Sequence, residues 1–525
     1  MSSMTRYFLL PLLAMCLSGC SKVGQPVSSV PHANQGQQAQ VQKTNVIIIV
    51  ADQMRREALG YWSEEGNEGL LNGKGDYVVT PNLDELAQEG VVFTDAIANY
   101  PLCSPFRGML LSGLFPHKNG VTNNTRTGRR EVGLKLDITT LTESLAEAGY
   151  NTALIGKGHW KANLPLFNEQ GHYVGSEDAP GGHYINGTRY DTYIPPGPHR
   201  NGIEYWYQAL GHNHKSPMVY TSDVELSGVP EGQPYFPRVY SAVDQANVLI
   251  DYLENNRSQR EADKPFGVLW AMDPPHTPYQ SMDDTDEALF NAYYKDVALE
   301  ALLNRDNADL EKGKDVARYY FSMVTLIDRE IGRVRAALEQ QGLADNTLIV
   351  FTSDHGEMMA SHSMMTKNVV YEESLGIPLI FHYPQSIAHR VSDLLIGVPD
   401  FMPTILGVLG LEHYIPEGLD GKNYAGYLFG GSSNTDELPL SSFYYGKSGE
   451  VGVRTHTYTY AIDANGDIIA LFNNKTDPYQ MNLLQPQQLP EADWRMLKHQ
   501  LGQWLTDIEH PMYADKRYPH RIAYP

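Results

Sequence analysis

The chain has 525 residues, with 62 Asp and Glu against 40 Lys and Arg and a formal net charge of −22. That balance excludes a general nucleic-acid binder, which needs basic surface to displace counterions from phosphates, and it requires any anionic substrate to meet a local positive pocket. The length exceeds one ordinary core and no repeat is present, so a large domain with a smaller one is expected.

Residues 1–20 read as an export signal: Arg6 precedes the apolar run Tyr7 to Leu17, too short to span a bilayer. The end of this segment, Leu17-Ser18-Gly19-Cys20, resembles the bacterial lipobox, so Cys20 is expected to carry lipid and to be the only membrane attachment. Ordinary cleavage without lipid is the competing reading; the location is the outer membrane or the periplasm. Residues 21–43, rich in Gln and Ser with few bulky apolar groups, read as a flexible tether. Of three cysteines, Cys16 and Cys20 are consumed in processing, leaving Cys103 in the folded body. In an oxidising compartment such a residue is either buried and inert or kept for its chemistry.

Four short, β-branched apolar runs follow, the pattern of parallel strands covered on both faces. Asn45 to Ala51 ends at Asp52-Gln53; Thr152 to Ile155 leads into Gly156-Lys157-Gly158-His159; Phe266 to Ala271 runs into Asp273-Pro274-Pro275-His276; Thr347 to Thr352 ends at Ser353-Asp354-His355-Gly356. Ligands of open α/β sheets sit beyond the carboxyl ends of the strands, so these clusters are expected to converge on one site. Helical patterns lie between them: Asn82 to Glu89, Leu141 to Ala148, and Tyr319 to Gln341 with Phe321, Val324, Ile327, Ile331, Val334 and Leu338 on one stripe. Together they predict an α/β sandwich with a mainly parallel sheet.

The stretch 160–237 is long and rich in His, Tyr, Gly and Pro, including His172, His183, Arg189, His199, Arg200, Tyr205, Trp206, Tyr207, His212, His214 and Lys215. Such an excursion suits substrate binding, with an aromatic-cored structural element as the alternative. After about residue 430, Tyr458 to Ile462 and Ile468 to Phe472 flank Asn465-Gly466, a hairpin signal, and a helix is expected from Asp493 to Asp507.

Cys103-Ser104-Pro105-Phe106-Arg107 carries the chemistry. Ser104 reads as an N-cap and Pro105 as a first helical residue, which puts Cys103 at a helix N-terminus, where dipole and free amides favour an anion. A lone aspartate after a strand more often caps a helix, but Asp52 and Asp354, each ending an apolar strand beside a second donor, read as metal ligands. Taken singly, His159, His276, Lys157 and Lys367 would be ordinary surface groups, and Glu357 and His362 read as loop or cap residues.

These residues resemble the type I, formylglycine-dependent sulfatases of the alkaline phosphatase superfamily, including those acting on polysaccharides. Cys103 to Arg107 looks like the family's Cys-x-Pro-x-Arg signature, and the similarity runs from Asn45 to about Leu484. Phe106 stands where the family usually has a small residue, and Gly158 replaces the tryptophan of its Gly-Lys-Trp-His block. The resemblance implies an alkaline phosphatase-like α/β/α sandwich over 44–430, with 160–237 as a substrate-binding insertion, and a smaller antiparallel-sheet subdomain over 431–525. It implies that a formylglycine-generating enzyme oxidises Cys103 to formylglycine (3-oxoalanine), whose hydrated aldehyde is the nucleophile. Asp52, Gln53, Asp354 and His355 would then hold the metal that Cys103 faces, with Ca²⁺ favoured over Mg²⁺ and His355 as the discordant nitrogen donor. Arg107, Lys157 and Lys367 would neutralise sulfate, His276 would protonate the leaving oxygen, and His159 would help regenerate the aldehyde, with an exchange of roles between the two histidines as the alternative. The implied substrate is a sulfated polysaccharide or its oligosaccharides. A phosphate or phosphonate monoester hydrolase on the same framework, and a non-catalytic glycan-binding lipoprotein if Cys103 stays unmodified, are the alternatives.

Overall fold

Asn45–Ala51 (β1) shows how this sequence builds its sheet. Val46, Ile48 and Val50 point into one hydrophobic core, and Ile47, Ile49 and Ala51 into another on the opposite face. A strand buried on both faces needs this continuous apolar run. The computed structural model describes residues 43–514 except 127–128, 130, 163–165, 168–172, 176–181, 186–187, 212 and 431–437. The export signal, Cys20 and the tether up to residue 42 lie outside the described residues.

Eight further strands complete the central sheet: β2 (Val91–Phe93), β3 (Asn151–Gly156), β4 (Tyr205–Leu210), β5 (Met218–Thr221), β6 (Phe266–Met272), β7 (Thr347–Ser353), β8 (Leu379–His382) and β9 (Arg390–Ser392). Their order is β9-β2-β8-β7-β1-β6-β3-β4-β5. The block β7-β1-β6-β3-β4 is parallel throughout, and β8 and β5 flank it antiparallel. All four strands read from the sequence are therefore present, adjacent and codirectional.

Helices cover both faces. Leu83 and Leu86 of α1 (Pro81–Glu89), Ala246 and Leu249 of α4 (Ser241–Glu254), and the expected stripe of α5 (Ala317–Gln340) pack on one. Phe106 and Leu110 of α2 (Cys103–Ser112), Leu141 and Leu145 of α3 (Leu141–Glu147), and Phe401 and Ile405 of α6 (Phe401–Val408) pack on the other. Each fully buried side chain of this kind contributes about 1.5–3 kcal/mol. Phe106, unusual by family pattern, is completely buried here.

The C-terminal region forms a second, four-stranded antiparallel sheet: β10 (Ser442–Tyr445), β11 (Val451–Arg454), β12 (Tyr458–Ile462) and β13 (Ile468–Asn473), followed by α7 (Glu491–Asp507). The β12–β13 turn is held by Asp463, whose Oδ1 accepts from the amides of Asn465 and Asp467, with Gly466 at φ 82°. Phe443, Val453 and Leu471 join Leu497, Leu501 and Leu505 of α7 in the same core as α2, α3 and α6.

Part of the stretch 160–237 follows the alternative reading, an aromatic-cored structural element. Tyr205, Trp206 and Tyr207 belong to β4, where Trp206 and Tyr207 are wholly buried. Tyr207 donates to Asp244 at 2.5 Å and Arg200 stacks over Trp206 at 4.7 Å. These aromatics extend the central sheet, because a continuous run of large apolar residues suits a strand buried on both faces. His172, His212 and the side chains of His183 and Arg189 lie outside the described residues.

Candidate active site and metal centre

Strand register brings the chemistry together. Ala51 pairs with Met272 on one side and Ser353 on the other, and Gly156 pairs with Ala271. The next residues, Asp52, Asp273, Asp354 and Lys157, therefore emerge at one edge of the sheet. Gly156 has φ 113°, and a Cβ there would fall 2.0 Å from the Ala271 carbonyl oxygen, so the β3 exit can only be glycine.

Helix α2 delivers Cys103 from the other direction. The helix begins at Cys103 itself, with Leu102 at the cap position and no side-chain cap, so the expected roles of Ser104 and Pro105 are displaced by two residues. Ser104 is satisfied by a neighbouring loop instead: its amide donates to Asn124 Oδ1 at 3.0 Å and its hydroxyl accepts from the Thr125 amide at 3.1 Å. Long-range partners replaced the local cap, which sequence spacing alone does not show. Cys103 remains in the first helical turn, where an anion is favoured. Burial and Asp52 push its thiol up, but Lys367, Lys157 and His355 outweigh them and bring it down to about 6.

Asp52, Cys103, Asp354 and His355 each offer a ligand atom within 4.8 Å of the others. Cys103 Sγ lies 3.3 Å from His355 Nε2 and 4.0 Å from Asp52 Oδ1. His355 Nε2 is 3.4 Å from Asp354 Oδ1 and 3.7 Å from Asp52 Oδ1. His355 Nδ1 lies 3.0 Å from the Gly356 carbonyl, to which it donates, so Nε2 is the nitrogen turned to the cluster. Gly356 permits this turn, since a Cβ there would meet the Glu373 carbonyl oxygen at 2.0 Å. Gln53, at φ 70°, donates its amide to Asp354 Oδ1 at 3.0 Å and turns its side chain beside Lys367. Burial, then the Asp52 charge, raise the Asp354 carboxyl to about 7, as two neighbouring buried carboxylates resist ionising together. The donor set, carboxylates and an amide with one imidazole, fits a hard divalent ion.

The cations are engaged with these carboxylates. Lys157 Nζ donates to Asp52 Oδ2 at 2.6 Å and to Asp273 Oδ1 at 3.4 Å. Arg107 bridges Asp52 and Asp354 at 3.3 and 3.4 Å while donating to the Lys157 carbonyl at 2.8 Å. Burial would raise Asp52, but Lys157, His276, His355 and Arg107 hold it well below the usual carboxylate range. Lys367 Nζ reaches both Gln53 Oε1 and His276 Nε2, the latter at 2.7 Å, and His276 Nδ1 lies 2.6 Å from the Thr277 carbonyl. His159, at φ 62°, is buried 3.4 Å from the Thr125 carbonyl, and burial brings it down to about 4. Backbone strain of this kind gathers where side chains must be aimed. The structure thus brings all ten predicted site residues together at this edge of the sheet.

Asp191, Asp273 and Glu357 were given no site role by the sequence reading, and His214 only a place in the stretch 160–237. Asp273 and His214 sit behind Lys157 and His276: His214 Nδ1 is 3.5 Å from Asp273 Oδ2 and its Nε2 3.0 Å from the His276 carbonyl. Asp191, buried, is coupled electrostatically to His159. Glu357, which read as a loop or cap residue, is completely buried against Gln53. The acidic residue after Asp354-His355-Gly356 was visible, but nothing local marked it as more than a cap. His362 stacks on Tyr371 at 4.0 Å, away from these contacts.

Comparison with known proteins identifies the family. The sequence model of the sulfatase family matches residues 44–411, and a model described as N-sulphoglucosamine sulphohydrolase, C-terminal, matches residues 360–507. An endo-4-O-sulfatase from Bacteroides thetaiotaomicron is 36% identical over 513 residues, covering 92% of this chain and 96% of that protein. An ulvan-active sulfatase from Formosa agariphila is 28% identical over 479 residues, covering 89% and 81%. A solved structure concerned with glycosaminoglycan metabolism by Bacteroides thetaiotaomicron superposes with a TM-score of 0.83 at 35% identity, covering 92% of this chain and all of the other.

Proposed function

Because this chain belongs to the sulfatase family and is a sulfuric ester hydrolase of the alkaline phosphatase-like fold, we propose that it removes sulfate from sulfated polysaccharides or their oligosaccharides with a nucleophile made from Cys103. The observation that carries this reading is the placement of Cys103 in the first turn of α2, 3.3 Å from His355 and 4.0 Å from Asp52. A formylglycine-generating enzyme would oxidise the side chain, and the hydrated aldehyde would offer one hydroxyl for attack on sulfur.

Asp52, Gln53, Asp354 and His355 would hold the divalent ion, calcium in preference to magnesium because the set is not a strict octahedron of oxygens. An ion held there would supply Lewis acidity, favouring deprotonation of the attacking hydroxyl. Asp354 is placed to accept the proton of that hydroxyl. Arg107, Lys157 and Lys367 would neutralise the sulfate oxygens. His276 Nε2 accepts from the Lys367 ammonium here, so it would protonate the departing sugar oxygen once Lys367 has turned to the sulfate and Nε2 has taken up a proton. His159, kept neutral by burial, takes the proton of the second hydroxyl on residue 103, so the aldehyde reforms as sulfate leaves.

The names of the relatives support a glycan substrate and make a 4-O-sulfate the first position to test. The Leu17-to-Cys20 segment supports export and lipid anchoring at Cys20, at the outer membrane or in the periplasm. Sulfate release from defined sulfated oligosaccharides, run beside an aryl phosphate control, tests the reading. Preference for a sulfated oligosaccharide is the expected result; faster phosphate turnover would overturn it.

A further inference from the structure

We propose that Glu357 is a positioning residue that decides which atom of the Gln53 amide faces the metal. The inference rests on the reading of Gln53 as a metal ligand. An amide side chain presents an acceptor and a donor of nearly identical shape, and only the oxygen can ligate a hard cation. Something must therefore forbid the flipped orientation. Gln53 Nε2 donates to Glu357 Oε2, while Gln53 Oε1 accepts from Lys367 Nζ. A carboxylate offers only acceptors at that contact, so turning the amide over would set oxygen against oxygen between two completely buried side chains.

Glu357 is held as firmly as it holds. Its Oε2 also accepts from Tyr279 Oη at 3.3 Å, and its Oε1 accepts from the amides of Met359 and Thr366 at 2.8 and 2.6 Å. Those two amides close a loop in which Met359, Ala360, His362, Ser363, Thr366 and Asn368 all adopt positive φ, between 36° and 72°. Non-glycine residues hold such conformations only where neighbours over-determine them. The loop ends at Lys367, which completes the circuit back to Gln53 Oε1. One carboxylate thus fixes the orientation of a metal ligand and the position of a sulfate-binding lysine. A carboxylate at position 53 would face Glu357 with no proton between them, so this contact favours an amide there.

Calcium titration calorimetry on the mature full-length protein tests this with E357Q, Q53E and the reciprocal double variant. In E357Q the new amide can still accept from Met359 and Thr366, but it turns an NH₂ toward Gln53. Each single variant is expected to lose about 10–100-fold in calcium affinity, the usual effect of removing a partner behind a ligand. The double variant restores one donor facing one carboxylate and is expected to recover most of that loss, which a merely structural residue would not do. Wild-type affinity in E357Q, or no recovery in the double variant, overturns the proposal. Should E357Q fail to fold, the double variant decides: folded and calcium-binding supports it, and anything else contradicts it. Absence of calcium binding by the unmodified sequence would remove the Gln53 reading itself, and is told apart because it appears before any substitution.

Discussion

Lys157 Nζ and Asp52 Oδ2 lie 2.6 Å apart although their strands are not neighbours: β6 runs between β1 and β3, so this ion pair spans a strand and ties the exits of the block together. Both groups are buried, and Asp273, at the exit of β6, accepts from the same ammonium at 3.4 Å. Removing one member of a buried pair strands the other.

Lys157→Met is therefore expected to destabilise the metal-free protein on the order of 3 kcal/mol. Saturating calcium should narrow that gap, because a bound cation replaces the lost charge beside Asp52. Urea unfolding with and without calcium measures both quantities, and equal losses in the two conditions would count against a metal at Asp52.

Cys103→Ala should abolish sulfate release by at least about 10³-fold, as expected for loss of a nucleophile. The fold should survive, since a small side chain replaces a small one. Thermal unfolding beside the activity assay checks both; an active alanine variant would refute the role of position 103.

His276→Ala should discriminate by leaving group. Loss of a general acid costs about 10²–10⁴-fold where the departing oxygen is a poor leaving group. Sugar sulfates should therefore suffer far more than a nitrophenyl sulfate, whose leaving group needs no proton. Parallel kcat measurements on the two substrates separate His276 from His159, for which no such contrast is expected.

Asp84 provides a pH test away from the site. Burial raises its carboxyl to about 7; hydrogen bonds from Thr80 and the Tyr61 amide offset this only in part, and Asp328 and Glu64 add to it. A folded value above the unfolded value of 3.8 means that the native state keeps a proton the unfolded chain has released. Stability thus falls as pH rises from about 4 to about 7, and the full penalty is present above that. Asp84→Asn keeps the Oδ1 acceptor and never ionises, so its melting temperature should exceed that of the natural sequence at pH 8 and match it near pH 4.

Much of this was legible in the sequence because the signals were local. A seven-residue apolar strand ending in Asp52-Gln53 announces both a doubly covered sheet and a site at its exit, and the stripe of α5 fixes which face it packs on. Family likeness then supplied roles that spacing could not. What escaped was everything decided by partners distant in the chain. Ser104 has the makings of a cap, yet Asn124 and Thr125 redirect it. Tyr205 to Tyr207 look like a sugar platform but complete a strand. Glu357 and Asp273 are ordinary acids in sequence, and only the fold reveals that one answers to Gln53 and the other to Lys157.

The central claim is that one divalent cation joins the exits of β1 and β7 and faces an oxidised residue 103. A crystal structure of the active, calcium-soaked enzyme tests it most directly. The expected density is a single ion ligated by Asp52, Gln53, Asp354 and His355, with an oxygen rather than a sulfur on the side chain of residue 103. An ion bound elsewhere, or an intact thiol at position 103 in catalytically active crystals, would contradict it.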